Sequence, residues 1–387
     1  MTPHPPSPTL RQSCAAIATA LVVLATRVSG EHNATGTDAA VGGGTANTAS
    51  GDYAWVGGGY QNNAEGNYTV IGGGHVNSIF ERYGTVGGGY ANLVYAYAAT
   101  VSGGRYNSAY GGSSTIGGGY DNSVYIYYAT VGGGQRNLAS GYSATVAGGQ
   151  YNSALNGMTA IGGGWRNAAF GIYGTVGGGY YNLAYGSGAT ISGGYGNRVY
   201  SSYAIICGGY YNSVFKPFAT ISGGQYNAVY GYSSVIAGGH HNTLYGHYTN
   251  IGGGLYNTAY GEFATIAGGD SNVNKGDAGA VGGGRSNTVF SSNSSVVAGG
   301  FNNAVHSDWS SVVGGQSNTV HGNWSSIGGG LSNTAGAGQA ATVSGGELNV
   351  ADAAYSSIGG GYQNNAEGNY TVIGGGHVNS IFERYGT

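Results

Sequence analysis

From Val41 onward an aliphatic β-branched residue returns at intervals of 15 positions, as in Val86, Val101, Ile116, Val131, Val146, Ile161, Val176 and Ile191. Two places before each stands a small residue, such as Ala99, Ser114, Ala129 and Ala144. Alternation along an extended segment sends both to the same side, so both columns are expected to point inward. A second apolar column, Ala109, Val124, Ala139, Ala154, Val199, Val214 and Val229, supplies the facing wall. The unit reads approximately Thr-[Val/Ile]-x-Gly-Gly-x-x-Asn-x-[Ala/Val]-[aromatic]-Gly-x-Tyr-[small] and recurs in about 23 copies. Its length is too short for a helical hairpin, and Gly with β-branched residues favours strands and tight turns. The pattern predicts an all-β protein, a parallel β-solenoid or β-roll of about 23 coils, each built from two short strands and two turns. Residues 41–387 form this repeat domain, with 31–40 as a short linker before it.

The remaining columns have their own physical readings. The Gly-Gly pairs mark a corner where positive φ is needed or where backbones come too close for a Cβ. The Asn column, which includes Asn107, Asn122, Asn137, Asn152, Asn167 and Asn182, is read as a structural turn ladder. Its side chains satisfy turn amides and stack on the Asn of the next coil. Two aromatic columns face outward on the alternation argument. The first holds Phe80, Tyr95, Tyr110 and Tyr125, then Phe170, Tyr185, Tyr200, Phe215, Tyr230, Tyr245 and Tyr260. The second is more broken and includes Tyr53, Tyr68, Tyr83, Tyr128, Tyr173, Tyr203, Phe218, Tyr248, Phe263, Trp309 and Trp324. Stacked aromatics stabilise a sheet by themselves, and a long exposed aromatic face is also an interface for other chains or for sugars.

Composition narrows the class further. With 83 Gly, 35 Tyr and 6% charged residues in 387, the chain matches neither an ordinary globular enzyme nor a charge-rich disordered segment. Cys14 to Ala25 form a short apolar run followed by Val28-Ser29-Gly30, so residues 1–30 are expected to be a signal peptide. Cleavage there removes Arg11 and Arg27 of the eleven basic residues and none of the fourteen acidic ones, leaving an acidic balance that argues against nucleic acid as a partner. No later stretch is long and apolar enough to cross a membrane, so no transmembrane anchor is expected in the chain. Cys207 is then the lone cysteine, standing where other repeats carry Ser, Ala or Gly, and reads as a small filler.

The stretches Thr130-Val131-Gly132-Gly133-Gly134 through Asn137, Ala139 and Gly141, and Ala160-Ile161-Gly162-Gly163-Gly164 through Asn167, Ala169 and Gly171, carry a resemblance. Their unit is similar to the head repeats of YadA-like trimeric autotransporter adhesins, Ser-Val-Ala-Ile-Gly-x-x-Ala-x-Ala-x-Gly-x-x-Ser, over residues 41–387. Gly stands here where that family carries Ile, and the aromatic columns are heavier. The resemblance implies a left-handed parallel β-roll that self-associates as a homotrimer and binds matrix, cells or glycans at the cell surface. Gly57–Thr85 recurs without change as Gly359–Thr387, which reads as a recent duplication, and the stop in mid-repeat suggests truncation.

No motif for catalysis emerges: no Gly-Lys-Ser/Thr follows the glycine-rich corners, there is no Gly-x-Ser-x-Gly elbow, and acidic residues are scattered singly. No cofactor, metal or catalytic site is therefore expected. Asp270 to Asp277 resembles the start of a calcium loop but has Lys275 and Val281 where such a loop needs Gly and Glu. His240, His241 and His247, and His306 with His321, read as surface substitutions. Sequons stand at Asn33, Asn67, Asn293, Asn323 and Asn369. The expected function is that of a secreted or cell-surface structural or adhesive repeat protein. The alternative is a monomeric ligand-binding solenoid for carbohydrate or, given the Thr column Thr85, Thr100, Thr115, Thr130 and Thr145, for ice.

Overall fold

A computed structural model describes residues 32–291 and 293–387, so the expected signal peptide lies outside the described residues. The chain divides between Met158 and Thr159 into two compact units. Each is an all-β parallel solenoid with the 15-residue period of the sequence. In the first unit a representative coil carries the strands Thr100–Val101 and Ser108–Ala109. Thr100 sits between Thr85 and Thr115, and Ser108 between Leu93 and Ser123, always in parallel register. In the second unit Thr190–Ile191 lies in the same way between Thr175–Val176 and Ile205–Ile206.

Two residues suffice for a strand because each coil is paired on both sides, so the ladder rather than the segment is the cooperative element. Both sheets obey the alternation expected from the sequence. Val101, Ile116 and Val131 are fully buried, and so are Ala109, Val124 and Ala139 on the facing wall and Ala99 and Ala129 between them. The interior is thin, with Ile and Leu244 its largest fully buried side chains.

The coil has one feature more than the two strands and two turns expected. The residue after each Gly-Gly pair makes a single-residue parallel bridge, as in Tyr90–Arg105–Tyr120 and Tyr180–Tyr195–Tyr210, giving a third ladder. The corners also differ from expectation. Positive φ belongs to the second glycine, with Gly104 at +86° and Gly119 at +92°, but also to two non-glycine residues per coil. These include Tyr106 (+59°) and Tyr68 (+58°), each in a left-handed conformation that costs an L-residue roughly 1–2 kcal/mol. The return is in hydrogen bonding. Most strand N–H groups donate to the following coil, as Thr100 does to Ser114, whereas Tyr106 donates to Tyr90 and Tyr68 to Asp52 in the preceding one.

The stretch 31–40, separated as a linker on sequence, is partly solenoid: Asn33–Ala34 pairs with Thr48–Ala49, and Ala40–Val41 with Trp55–Val56. The two one-residue insertions leave the ladders in register, since Ala280 still pairs with Val296 and Ser326 with Thr342. The second is absorbed between Gly336 and Ala340, at the corner that holds Tyr53 and Tyr68 in other coils.

Candidate functional site: the asparagine spine and the aromatic columns

Asn107, Asn122, Asn137, Asn152, Asn167 and Asn182 are all buried at the corner after the third ladder. Asn122 shows the arrangement. Its Nδ2 donates to the Gly118 carbonyl (2.9 Å) and to the Gly134 carbonyl of the next coil (3.0 Å). Its Oδ1 accepts the backbone N–H of Asn137 at 2.9 Å, and its own N–H is accepted by Oδ1 of Asn107. The left-handed residue before each Asn turns the next N–H toward the preceding coil, where a side-chain oxygen meets it. In unit 2 Asn182 Oδ1 accepts from Asn197 in the same way, and Asn182 accepts no role that faces solvent. The column is a polar spine inside the solenoid, with its hydrogen-bonding capacity consumed by the fold.

The first aromatic column lies on the outer face of the sheet that contains Ser108–Ala109. In unit 1, Phe80, Tyr95, Tyr110 and Tyr125 stack with ring centroids 4.6, 5.3 and 5.1 Å apart. In unit 2, Phe170, Tyr185, Tyr200, Phe215, Tyr230, Tyr245 and Tyr260 form one continuous stack of near-parallel rings. Tyr245 and Tyr260 are exposed, whereas Tyr95, Tyr185 and Tyr200 are half-buried. Burial pushes the phenols of Tyr95, Tyr185 and Tyr230 above their ordinary values, helped by Glu65 at Tyr95 and by neighbouring phenols at the other two. The stack has a chemical consequence. A sugar that packs on an aromatic face needs that face open, but here each interior ring is covered on both sides, so the column offers edges and hydroxyls.

The second column sits at a corner in the left-handed conformation and is more exposed. Tyr53, Tyr68 and Tyr83 stack at 4.9 and 5.3 Å, Tyr203 and Phe218 at 5.6 Å, Tyr248 and Phe263 at 5.3 Å, and Trp309 and Trp324 at 5.4 Å.

Two further aromatic columns were not recognised in the sequence. One follows the third ladder: Trp165, Tyr180, Tyr195 and Tyr210 stack at 4.3, 4.7 and 5.0 Å. The next position holds Tyr211, Tyr226, His241 and Tyr256, stacked at 5.7, 4.9 and 5.0 Å. A hydrogen bond to Tyr211 raises the Tyr195 phenol. Both columns occupy the two unassigned places between Gly-Gly and Asn, where Gln, Arg, Asp and Ser alternate with Tyr. Comparing residues 15 apart at those two places, rather than reducing them to a consensus, reveals them.

On unit 1 a groove of about 350 Å³ opens between the first column and the adjacent corner, lined by Glu81, Tyr95, Tyr97, Tyr110 and Tyr127 with Ala96 and Gly112. Tyr97 meets Tyr83 edge to face, at 78°, and is half exposed.

The remaining candidates are dispersed. Asp270 pairs with Arg285 at 3.5 Å, Asp277 accepts the Glu262 N–H, and Asn274 is buried with its amide on the Thr265 and Gly279 carbonyls, so these groups do not converge. No group of three or more His, Cys, Asp or Glu side chains converges among the described residues. His240 and His241 touch edge to face at 4.4 Å, whereas His247 Nδ1 accepts from Tyr232 N–H at another corner. Cys207 is an exposed free thiol. Thr85, Thr100, Thr115, Thr130 and Thr145 stand in register in single file on the outer face of the other sheet.

His306 continues the first column between Phe290 (4.5 Å) and His321 (4.8 Å). Partial desolvation by the flanking rings, then the neighbouring His321, lowers the pKa of this otherwise exposed side chain from 6.5. The unfolded chain therefore takes up this proton first, and the stability carried by neutral His306 is lost as pH falls from 6.5 through the lower folded value. In an NMR titration its ring is expected to show a midpoint below 6.5, and His321→Phe is expected to raise that midpoint part of the way back.

No protein-family model matches the chain, and no curated protein matches it either.

Proposed function

We propose that this chain is a structural or adhesive repeat protein of the cell exterior, which associates with copies of itself through its aromatic columns and presents the remaining faces to matrix, cells or glycans. The observation that carries the proposal is the arrangement of aromatic side chains in stacked runs on the outer faces of both units. Tyr128, Tyr203, Phe218, Tyr248 and Phe263 are each more than half exposed. Aromatic surface of this extent favours contact with another surface over contact with water. The likeness to trimeric adhesin head repeats supports the same reading and suggests the number of copies.

Light scattering after size exclusion tests the proposal. A mass near three times 38.6 kDa is expected for the full chain, less what cleavage of a leader removes. A single-chain mass together with no retention on cells, matrix or glycans overturns it.

The groove beside Tyr97 favours a second reading, a carbohydrate-binding solenoid. Its wall carries Tyr97, which stands outside the sealed stack of Tyr95 and Tyr110 and meets Tyr83 edge to face, and Glu81 supplies an acceptor for sugar hydroxyls. Aromatic faces beside a carboxylate are suited to pyranose rings.

A further inference from the structure

We propose that the corner tyrosines Tyr53–Tyr68 and Tyr355–Tyr370 are sites of oxidative cross-linking, in which a peroxide-driven one-electron oxidant joins neighbouring coils of one chain through carbon–carbon bonds. This goes beyond the adhesive reading and places these two corners among the faces that stay free of the contact between copies.

The geometry comes from the register of the ladders. Tyr53 and Tyr68 have ring centroids 4.9 Å apart and planes within 7°, and Tyr355 and Tyr370 are 4.9 Å apart and within 6°. Both pairs are nearly half exposed, from 44 to 48%. An oxidant can reach them, and their ring centroids lie closer than those of the adjoining pairs of the same column, Tyr68–Tyr83 at 5.3 Å and Tyr370–Tyr385 at 5.4 Å. The rings of Tyr95, Tyr185 and Tyr200 in the first column are half-buried and less open to an oxidant.

The chemistry closes without a further reactant. Hydrogen peroxide, acting through a haem peroxidase, takes one hydrogen atom (an electron and a proton) from each of two phenol hydroxyls and leaves as two waters. The two phenoxyl radicals couple at the ring carbons ortho to oxygen, forming one carbon–carbon bond. The hydrogens on those carbons then move to the oxygens, restoring both aromatic rings. Stacking keeps the second radical beside the first, where a free phenoxyl would be captured by whatever it met. The product ties one coil to the next, as a disulfide would in a chain better supplied with cysteine than this one, whose single free cysteine among the described residues is Cys207.

The test uses the purified full chain at low concentration, treated with horseradish peroxidase and hydrogen peroxide. Blue dityrosine fluorescence reports the reaction, and mass-spectrometric peptide mapping reports the partners. Tyr53 and Tyr355 lie outside the segment that occurs twice, so the two links are distinguishable. The expected main products are Tyr53–Tyr68 and Tyr355–Tyr370, independent of protein concentration and enriched at least about tenfold over urea-unfolded chain, as proximity requires. Tyr68→Phe is expected to keep the fold, because Phe218 and Phe263 already occupy this column with positive φ, and to abolish the first link while leaving the second. Main products that join separate chains or different columns overturn the proposal, and so does equal yield from unfolded chain.

Discussion

Replacing Asn122 by Ala is expected to destabilise its unit by about 3–6 kcal/mol, a large effect for removing a side chain of modest size. The loss falls on what the side chain leaves behind. Gly134 keeps a second donor in Tyr120 N–H, and Asn107 Oδ1 keeps the Asn122 backbone N–H. The Asn137 N–H and the Gly118 carbonyl lose the partners that Asn122 gave them, in a place closed to water. Each orphaned buried group costs roughly 1–3 kcal/mol, and the vacated volume adds to it. Because coils touch only their neighbours, hydrogen exchange should show lost protection around Asn107 to Asn137 while coils further along keep theirs. Denaturant titration measures the total. A change below 1 kcal/mol would mean the spine is not what holds this corner.

Gly119→Ala is expected to cost about 3 kcal/mol or more, while Gly117→Ala, two residues away, is expected to stay within about 1 kcal/mol. At Gly119 φ is +92°, and a Cβ would run into the carbonyl oxygen of Gly134 and stand 2.8 Å from Nδ2 of Asn122. The obstruction is backbone and the buried spine, neither of which can swing aside. A Cβ at Gly117 would also press on the next coil, on the Gly132 carbonyl. There, however, other coils already carry Ser102, Ala147, Ser192 and Cys207, so the ladder opens enough to admit a side chain. Thermal melts of the two variants, measured side by side, decide whether the conformation or the glycine-rich composition is what the corner needs.

The inward columns were legible in the sequence because one residue class fills each of them: Val101 and Ile116 could be assigned from spacing alone, and Ala109 and Val124 from the same alternation carried across the turn. What escaped notice has an equally physical origin. Tyr106 and Tyr68 adopt positive φ without being Gly or Asn, and nothing in a tyrosine announces that; the requirement comes from the neighbouring coil, which needs an N–H turned backward. The third ladder escaped because a bridge of one residue leaves no alternation to read. The aromatic columns through Tyr180 and Tyr211 were hidden for a different reason: an outward position tolerates Arg105 or Gln135 as well as Tyr, so the pattern dissolves in a consensus while the stack survives in space. Among the expected outward tyrosines, sequence gave the direction but not the sealing of ring against ring, which follows from strand spacing and parallel register.

The pairing of each coil only with the one before and the one after also sets how either unit would respond to tension along its chain. Pulled from its ends, such a unit has no distant contact that must break first, so it would yield one turn at a time, each turn lost at a similar force. Every 15 residues released add roughly 50 Å of contour in exchange for about 5 Å of stacked height. A unit built this way would dissipate work gradually over a long extension, so its resistance to load would be graded rather than all-or-none.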